Sequence, residues 1–190
     1  MPKPIIFYNS AVQSLLDARR LNDLGPGQPD LARRDALESL TPRSLVAPRP
    51  LVDEQMARAC LAGLWLQFDF LDESHEISQS IADTNGSYWH AIMHRREGDF
   101  ANSKYWLQMV GKHAIFPQLA RAAREEAAGS EDSALAALSS EATWDAHRFV
   151  DLCQRASRDP KLAAVCQRIQ QHEWELLFVH CFSGAAGNAD

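Results

Sequence analysis

Two histidines in the middle of the sequence are spaced so that one helix would bring their rings together. His90 and His94 are four residues apart, and Glu97 follows one turn later. Residues at positions i and i+4 of an α-helix lie on the same face. Two neutral imidazoles with this spacing can hold one divalent metal ion, and a carboxylate can complete the ligand set. The same spacing also fits one buried, hydrogen-bonded histidine and one surface histidine.

A third histidine, His75, lies upstream on a different predicted helix. Asp72 precedes it by three residues and Glu76 follows it, and acid-x-x-His pairs hold metal ions inside helical bundles. We therefore predict that three imidazoles from two neighbouring helices face one interior space and hold one divalent ion, Zn, Fe or Mn. The predicted ligands are His75, His90, His94, Glu97, Asp72 and Glu76. In the alternative interpretation, His75 is a core histidine hydrogen-bonded to a buried Tyr or Glu.

Aromatic and basic side chains are concentrated in the same segment. A second hypothesis is a pocket that stacks a planar ligand and pairs with its phosphate or carboxylate group. The residues that would line it are Trp89, Arg95, Arg96, Lys104, Tyr105 and Trp106. In the alternative interpretation, the aromatic rings fill the core and the two arginines form surface ion pairs with Glu97 and Asp99.

Standard catalytic motifs are missing from the sequence. It contains no glycine-rich phosphate loop, no G-x-S-x-G, no HExxH and no CxxC. No catalytic residue can therefore be named, and the sequence does not decide whether the protein is an enzyme. For an enzyme, acid–base catalysis by histidine or a metal-assisted reaction fits best.

One further polar pair lies near the C-terminus. Glu173 and His180 are seven residues apart on a helix face that also carries Leu176 and Leu177. A polar pair on an apolar face needs partners, so we expect both to satisfy groups of the central helices. The alternative is that they join the three histidines in one polar centre.

Helices must position all of these side chains. A helix is predicted over residues 88–97, with Ser87 as its N-cap and Gly98 as the left-handed residue that ends it. Asp99 then caps a second helix over residues 100–110. The two histidines and the aromatic residues thus belong to a helical hairpin.

The longest regular element is predicted over residues 53–81, where apolar residues recur with the period of a helix. Gly63 lies in its middle and allows another helix to approach closely. The alternative is a break near Asp72 and Glu73, which form a helix-start signal.

These elements predict an all-α fold. The expected architecture is a single-domain helical bundle over residues 1–190 with about six to eight helices. It is built on the long central helix and the hairpin. Residues 1–8 are expected to form an extended arm, and residues 183–190 a mobile tail.

The hairpin resembles one helical pair of the tetratricopeptide-like repeats. Trp89, the Gly98-Asp99 turn, Ala101 and Tyr105 carry this resemblance, and no second copy follows at the repeat period of about 34 residues. The resemblance implies a helical hairpin, and a protein-interaction scaffold is the third functional hypothesis. A segment of the hairpin also resembles small uncharacterised bacterial all-helical proteins, which implies no activity; it reads GSYWHAIMHRREGDFANSKYW.

Composition excludes several classes of partner. The net charge of −6 argues against non-specific nucleic-acid binding. No stretch approaches the length of a membrane span, and the N-terminus lacks the apolar core of a secretory signal. Cys60, Cys153 and Cys166 fall in apolar helical patterns and are expected to be buried thiols. We therefore predict a cytoplasmic protein, with a small-molecule partner, a protein partner or a homodimer all left open.

Overall fold

A computed structural model describes residues 7–130, 132–140 and 143–187. In these ranges the chain is helical, with no β-strand, as the sequence predicts, although the helices are shorter and more numerous than expected. The eleven α-helices of the described ranges are α1 (Ser10–Asp17), α2 (Arg34–Glu38), α3 (Pro42–Val46), α4 (Glu54–Gln67), α5 (Leu71–Gln79), α6 (Thr84–Glu97), α7 (Phe100–Val110), α8 (Phe116–Ala127), α9 (Ser133–Ser140), α10 (Ala146–Ala156) and α11 (Pro160–Ala185).

The hydrophobic core has two parts, which α11 connects. One part is formed mainly by α1, α2, α3, α4, α6 and α7 with the C-terminal half of α11. The other is formed by α8, α9 and α10 with the N-terminal half of α11. Since α11 has 26 residues, it is about 39 Å long, enough to pass through both parts.

Helices α4 and α6 approach each other closely at Gly63. A Cβ atom on Gly63 would lie 2.7 Å from Cζ2 of Trp89, which is closer than real atoms come. The indole Nε1 of Trp174 donates a hydrogen bond to the Gly63 carbonyl at 2.7 Å. The prediction that Gly63 admits another helix is therefore confirmed.

The helix predicted over residues 53–81 is in fact two helices. α4 ends at Gln67 and α5 begins at Leu71, with Asp69 between them at a φ of 65°. The Asp69 carboxylate accepts hydrogen bonds from Arg96 at 2.6 Å and from Asn22 at 2.9 Å. These buried partners stabilise a left-handed conformation that few residues adopt alone. The prediction of one long helix was wrong, and the break comes a few residues before the alternative position near Asp72.

The first helix of the hairpin begins earlier than predicted. Asp83, not Ser87, is the N-cap of α6, and its carboxylate accepts hydrogen bonds from the backbone N–H groups of Asn85 and Gly86 at 2.8 Å each. An aspartate in this role satisfies two of the N–H groups that a helix start leaves free. Helix α6 is therefore longer by four residues, about one turn, than predicted.

The turn between α6 and α7 agrees with the sequence prediction. Gly98 adopts a φ of 90° at the end of α6, a conformation that costs glycine least. Asp99 caps α7 by accepting a hydrogen bond from the backbone N–H of Asn102 at 3.0 Å. The Ser103 hydroxyl donates to the Ala91 carbonyl at 2.7 Å, which fixes α7 against α6.

The C-terminal segment is ordered further than predicted. α11 continues through residue 185, and the carbonyl of Ala185 accepts a hydrogen bond from the N–H of Val52 at 2.9 Å. Gly187 donates its N–H to the Pro50 carbonyl at 2.9 Å. The prediction of a mobile tail is therefore wrong for residues 183–187, because helix α11 and backbone hydrogen bonds hold this stretch in place. Residues 188–190, and residues 1–6 of the predicted arm, lie outside the described residues.

Candidate metal centre

Three histidine rings meet between α5 and α6. His75 comes from α5, whereas His90 and His94 come from α6. One ring nitrogen from each residue lies within 4.8 Å of the other two. The ring centroids are 4.6 Å apart for His75 and His90, 5.3 Å for His75 and His94, and 4.6 Å for His90 and His94. The structure thus brings together the three imidazoles that the sequence placed in one interior space.

The neighbouring acids of α5 do not join this group. Ser74 and Ser78 mark the buried face of the helix, and His75 lies at its edge. Successive helical residues turn by about 100°, which carries Asp72 and Glu76 to the opposite face. Both are exposed. They were predicted as ligands, and this prediction was wrong because the helix presents them to solvent.

His90 is the most buried member of the cluster. Only 2% of the residue is exposed, and neither ring nitrogen has a hydrogen-bond partner among the described residues. Loss of hydration, together with nearby His94 and His75, lowers the pKa of His90 to about 4. The ring is therefore neutral at pH 7. A buried polar group without a partner is costly and calls for an explanation, such as an ion bound there.

His94 is oriented by a carboxylate. Its Nδ1 lies 3.0 Å from Oε2 of Glu97. An ionised carboxylate only accepts hydrogen bonds, so this contact places the proton on Nδ1 and the lone pair on Nε2. Glu97 was predicted as a metal ligand. The structure instead places it behind the ring, where carboxylates commonly orient metal-binding histidines.

The cluster fits a small tetrahedral ion. Zinc bound by nitrogen atoms at about 2.1 Å separates its ligand nitrogens by about 3.4 Å. The nitrogens here lie within 4.8 Å of one another, so each pair must come closer by at most about 1.4 Å. The His90 ring, which stacks on His94 with the planes inclined by 23°, must also turn to direct a lone pair at the same ion. Imidazole ligands suit zinc or iron, whereas manganese prefers oxygen ligands. The ligand type therefore favours Zn or Fe among the three predicted ions, and the identity of the ion stays a prediction.

The two arginines predicted to bind an anion instead form buried ion pairs. Arg95 pairs with Glu173, and its guanidinium lies 4.8 Å from the centroid of the Phe149 ring. Arg96 donates to Asp69 at 2.6 Å and to the Leu66 carbonyl at 2.8 Å. The alternative prediction, surface ion pairs of these arginines with Glu97 and Asp99, was also wrong. The actual partners, Glu173 and Asp69, are buried and distant in sequence.

The remaining residues of the predicted ligand pocket are scattered. Trp89 lies in the core with its ring centroid 6.1 Å from that of Trp174. Lys104 pairs with an aspartate of α10, and Tyr105 is 53% exposed. Trp106 stacks on His90 instead. A cavity of about 660 Å³ touches both arginines, but none of these four residues lines it.

The polar pair of α11 has a structural role. Glu173 accepts a hydrogen bond from the Tyr88 hydroxyl at 2.9 Å and pairs with Arg95. The His180 ring lies 4.9 Å from that of His113, in a separate place from the three-histidine cluster. The expectation that Glu173 satisfies groups of the central helices is confirmed.

Comparison with family models, with curated proteins and with solved structures finds no match to this chain. Function must therefore be inferred from the side chains themselves. Within the described part of the chain, none of the helices combines the length and the apolar character that crossing a bilayer requires. The tetratricopeptide-like resemblance, the scaffold hypothesis and the homodimer stay predictions.

Proposed function

We propose that this protein binds one divalent transition-metal ion, zinc being the best fit, through His75, His90 and His94. The observation that carries this proposal is the state of His90. Its two ring nitrogens are buried and have no hydrogen-bond partner in the described ranges of the chain, and two further imidazoles supply ligand atoms within 4.8 Å. A bound ion would satisfy one of these nitrogens and would use the lone pair of a ring that is neutral at physiological pH.

The proposed ion has one coordination position that no side chain of the three-histidine cluster fills. Three protein ligands are typical of catalytic zinc sites, where a water occupies the fourth position, whereas structural sites have four. No carboxylate or thiolate among the described residues joins the cluster, so the ligands leave the double positive charge uncompensated. A zinc ion held in this way would lower the pKa of a bound water to about 7.

This chemistry indicates the class of reaction. His75 is only partly buried, so the proposed ion would lie nearest to solvent on the α5 side. An ion held by His75, His90 and His94 would supply Lewis-acid activation of a water molecule, and we propose metal-assisted hydrolysis or hydration of a small substrate. We further place the protein in the cytoplasm, which four buried free thiols support.

Elemental analysis tests this proposal. Protein purified without chelators is expected to retain close to one equivalent of zinc, and His90→Ala is expected to lose it while remaining helical by circular dichroism. His172→Ala is the matched control, because His172 pairs with Glu126 at 3.0 Å, away from the cluster. The proposal fails if the wild-type protein holds no metal and takes up none after dialysis against zinc.

A further inference from the structure

An amide side chain lies beside the lone pair of His94. Asn102 Nδ2 is 3.0 Å from Nε2 of His94 and 3.5 Å from Nδ1. A donor in the ring plane, aimed along the Nε2 lone pair, would be about 5 Å from Nδ1. The amide therefore lies over the ring, and it leaves the Nε2 lone pair free for an ion.

These distances also locate the amide relative to the proposed ion. An ion on Nε2, at about 2.1 Å and in the ring plane, would lie about 3.6 Å from the Asn102 amide nitrogen. That separation is too long for a ligand and suits a donor to an atom that the ion holds. An N–H group in this place can reach an oxygen bound at the open position.

The backbone holds Asn102 in this place. Its N–H is bonded to the Asp99 carboxylate at 3.0 Å, and the next residue, Ser103, is bonded to the Ala91 carbonyl at 2.7 Å. The side chain is thus presented to His94 from a fixed turn of α7. A donor that is already in position loses little freedom when a ligand binds.

We propose that Asn102 donates a hydrogen bond to the fourth ligand of the metal, and that this ligand is a hydroxide or a small oxyanion. This inference rests on the proposed function. Three neutral imidazoles leave a doubly charged ion that favours a negatively charged fourth ligand. An N–H donor beside it stabilises the anion over neutral water. Asn102 is therefore a residue that selects the bound species and is not a metal ligand.

Cobalt substitution gives the test, because the visible spectrum of bound Co²⁺ reports its fourth ligand. Asn102→Ala and Asn102→Asp are compared with the wild-type protein, all loaded with Co²⁺ and titrated with azide and with pH. Both variants are expected to bind one equivalent of cobalt. Their azide affinity is expected to fall about tenfold or more, the loss of one hydrogen bond to a charged group. The bound water is expected to ionise at higher pH than in the wild type.

The possible outcomes separate the two proposals. Wild-type protein that binds no cobalt contradicts the metal site itself. Cobalt-loaded variants whose azide and pH titrations match those of the wild type overturn the role of Asn102 and leave the metal site intact. Variants that stay helical but lose cobalt also overturn it, since Asn102 would then be needed to hold the ion.

Discussion

The indole ring of Trp106 stacks on the imidazole of His90, with the ring centroids 4.1 Å apart and the planes inclined by 18°. The His94 ring also stacks on His90, with the two ring centroids 4.6 Å apart. His90 is therefore in stacking contact with both Trp106 and His94. These contacts shield the His90 ring from water, since only 2% of the residue is exposed. His94 thus lies over one face of the His90 ring, whereas the His75 ring meets it edge-on at 85°. Because an imidazole lone pair lies in the ring plane, the His90 ring must turn from this position before it and His94 can hold one ion.

This stacking makes Trp106 a reporter of metal binding. Paramagnetic ions such as Co²⁺ or Cu²⁺ quench the fluorescence of a nearby indole, and Trp106 touches a proposed ligand. Titration of the metal-free protein with Co²⁺ is expected to quench emission up to one equivalent. Trp106→Phe is expected to bind cobalt while losing most of this quenching. Equal quenching in the variant and the wild type would show that the ion binds elsewhere.

Glu97 and Glu76 give a matched pair of variants. Glu97 bonds to the His94 ring at 3.0 Å, whereas Glu76 is exposed on the far side of α5. Removal of a carboxylate behind a metal-binding histidine typically weakens metal affinity about 10- to 100-fold. Competition with a chelator should show this loss for Glu97→Gln and no change for Glu76→Gln. A larger loss for Glu76→Gln would place it among the ligands after all.

Substitution of two helical glycines, Gly63 of α4 and Gly184 of α11, by alanine is expected to have opposite effects on stability. Gly63→Ala places a Cβ 2.7 Å from the Trp89 ring, which cannot move in a packed core, so we expect destabilisation by about 1–3 kcal/mol. The three atoms nearest to a Cβ on Gly184 belong to the flexible Met56 side chain, at 3.2–3.3 Å. Alanine favours the helix there, so we expect no loss and a gain of at most about 1 kcal/mol. Urea unfolding measures both, and similar values would contradict the account of Gly63.

The surroundings of His113 lead us to expect that the protein loses stability at acidic pH. Its Nε2 bonds to Asn85 at 3.1 Å and its Nδ1 accepts from the N–H of Ile115 at 3.4 Å, so the neutral ring is satisfied. Burial and His180 lower the pKa of His113 to about 4, and Asp83 opposes this in part.

The direction of the effect follows from the two pKa values. An unfolded histidine takes up its proton near pH 6.5, whereas folded His113 does so only near pH 4. Between these values the unfolded state binds more protons, so the free energy of unfolding falls as the pH falls. From pH 7 to pH 5 this residue accounts for about 2 kcal/mol. His113→Gln should reduce the loss measured by urea unfolding, and an unchanged or steeper loss would contradict the assignment.

The three-histidine cluster was predictable because it depends on local geometry. A spacing of four residues puts His90 and His94 on one face in any helix, and His75 needed only an adjacent helix. The carboxylates were not predictable in this way. Asp72 and Glu76 have suitable spacing, but the break at Asp69 determines how α5 turns, and that break depends on tertiary partners.

The partners of the two arginines could not be predicted from the sequence either. Arg95 and Arg96 read as exposed cations because their nearest acids are Glu97 and Asp99. Their actual partners, Glu173 and Asp69, lie 78 and 27 residues away. Only packing of α6 against α4 and α11 reveals such pairs. Asn102 was overlooked for a related reason, since its relation to His94 depends on the turn that Gly98 and Asp99 form.

X-ray absorption spectroscopy of the zinc-loaded protein tests the three-histidine ligand set most directly. We predict three imidazole nitrogens and one further light atom at about 2.0–2.1 Å from the zinc. Outer-shell scattering from the rings should decrease by about one third in a zinc-loaded His75→Ala variant. Sulfur at about 2.3 Å, or oxygen ligands without imidazole scattering, would contradict a metal centre built from His75, His90 and His94.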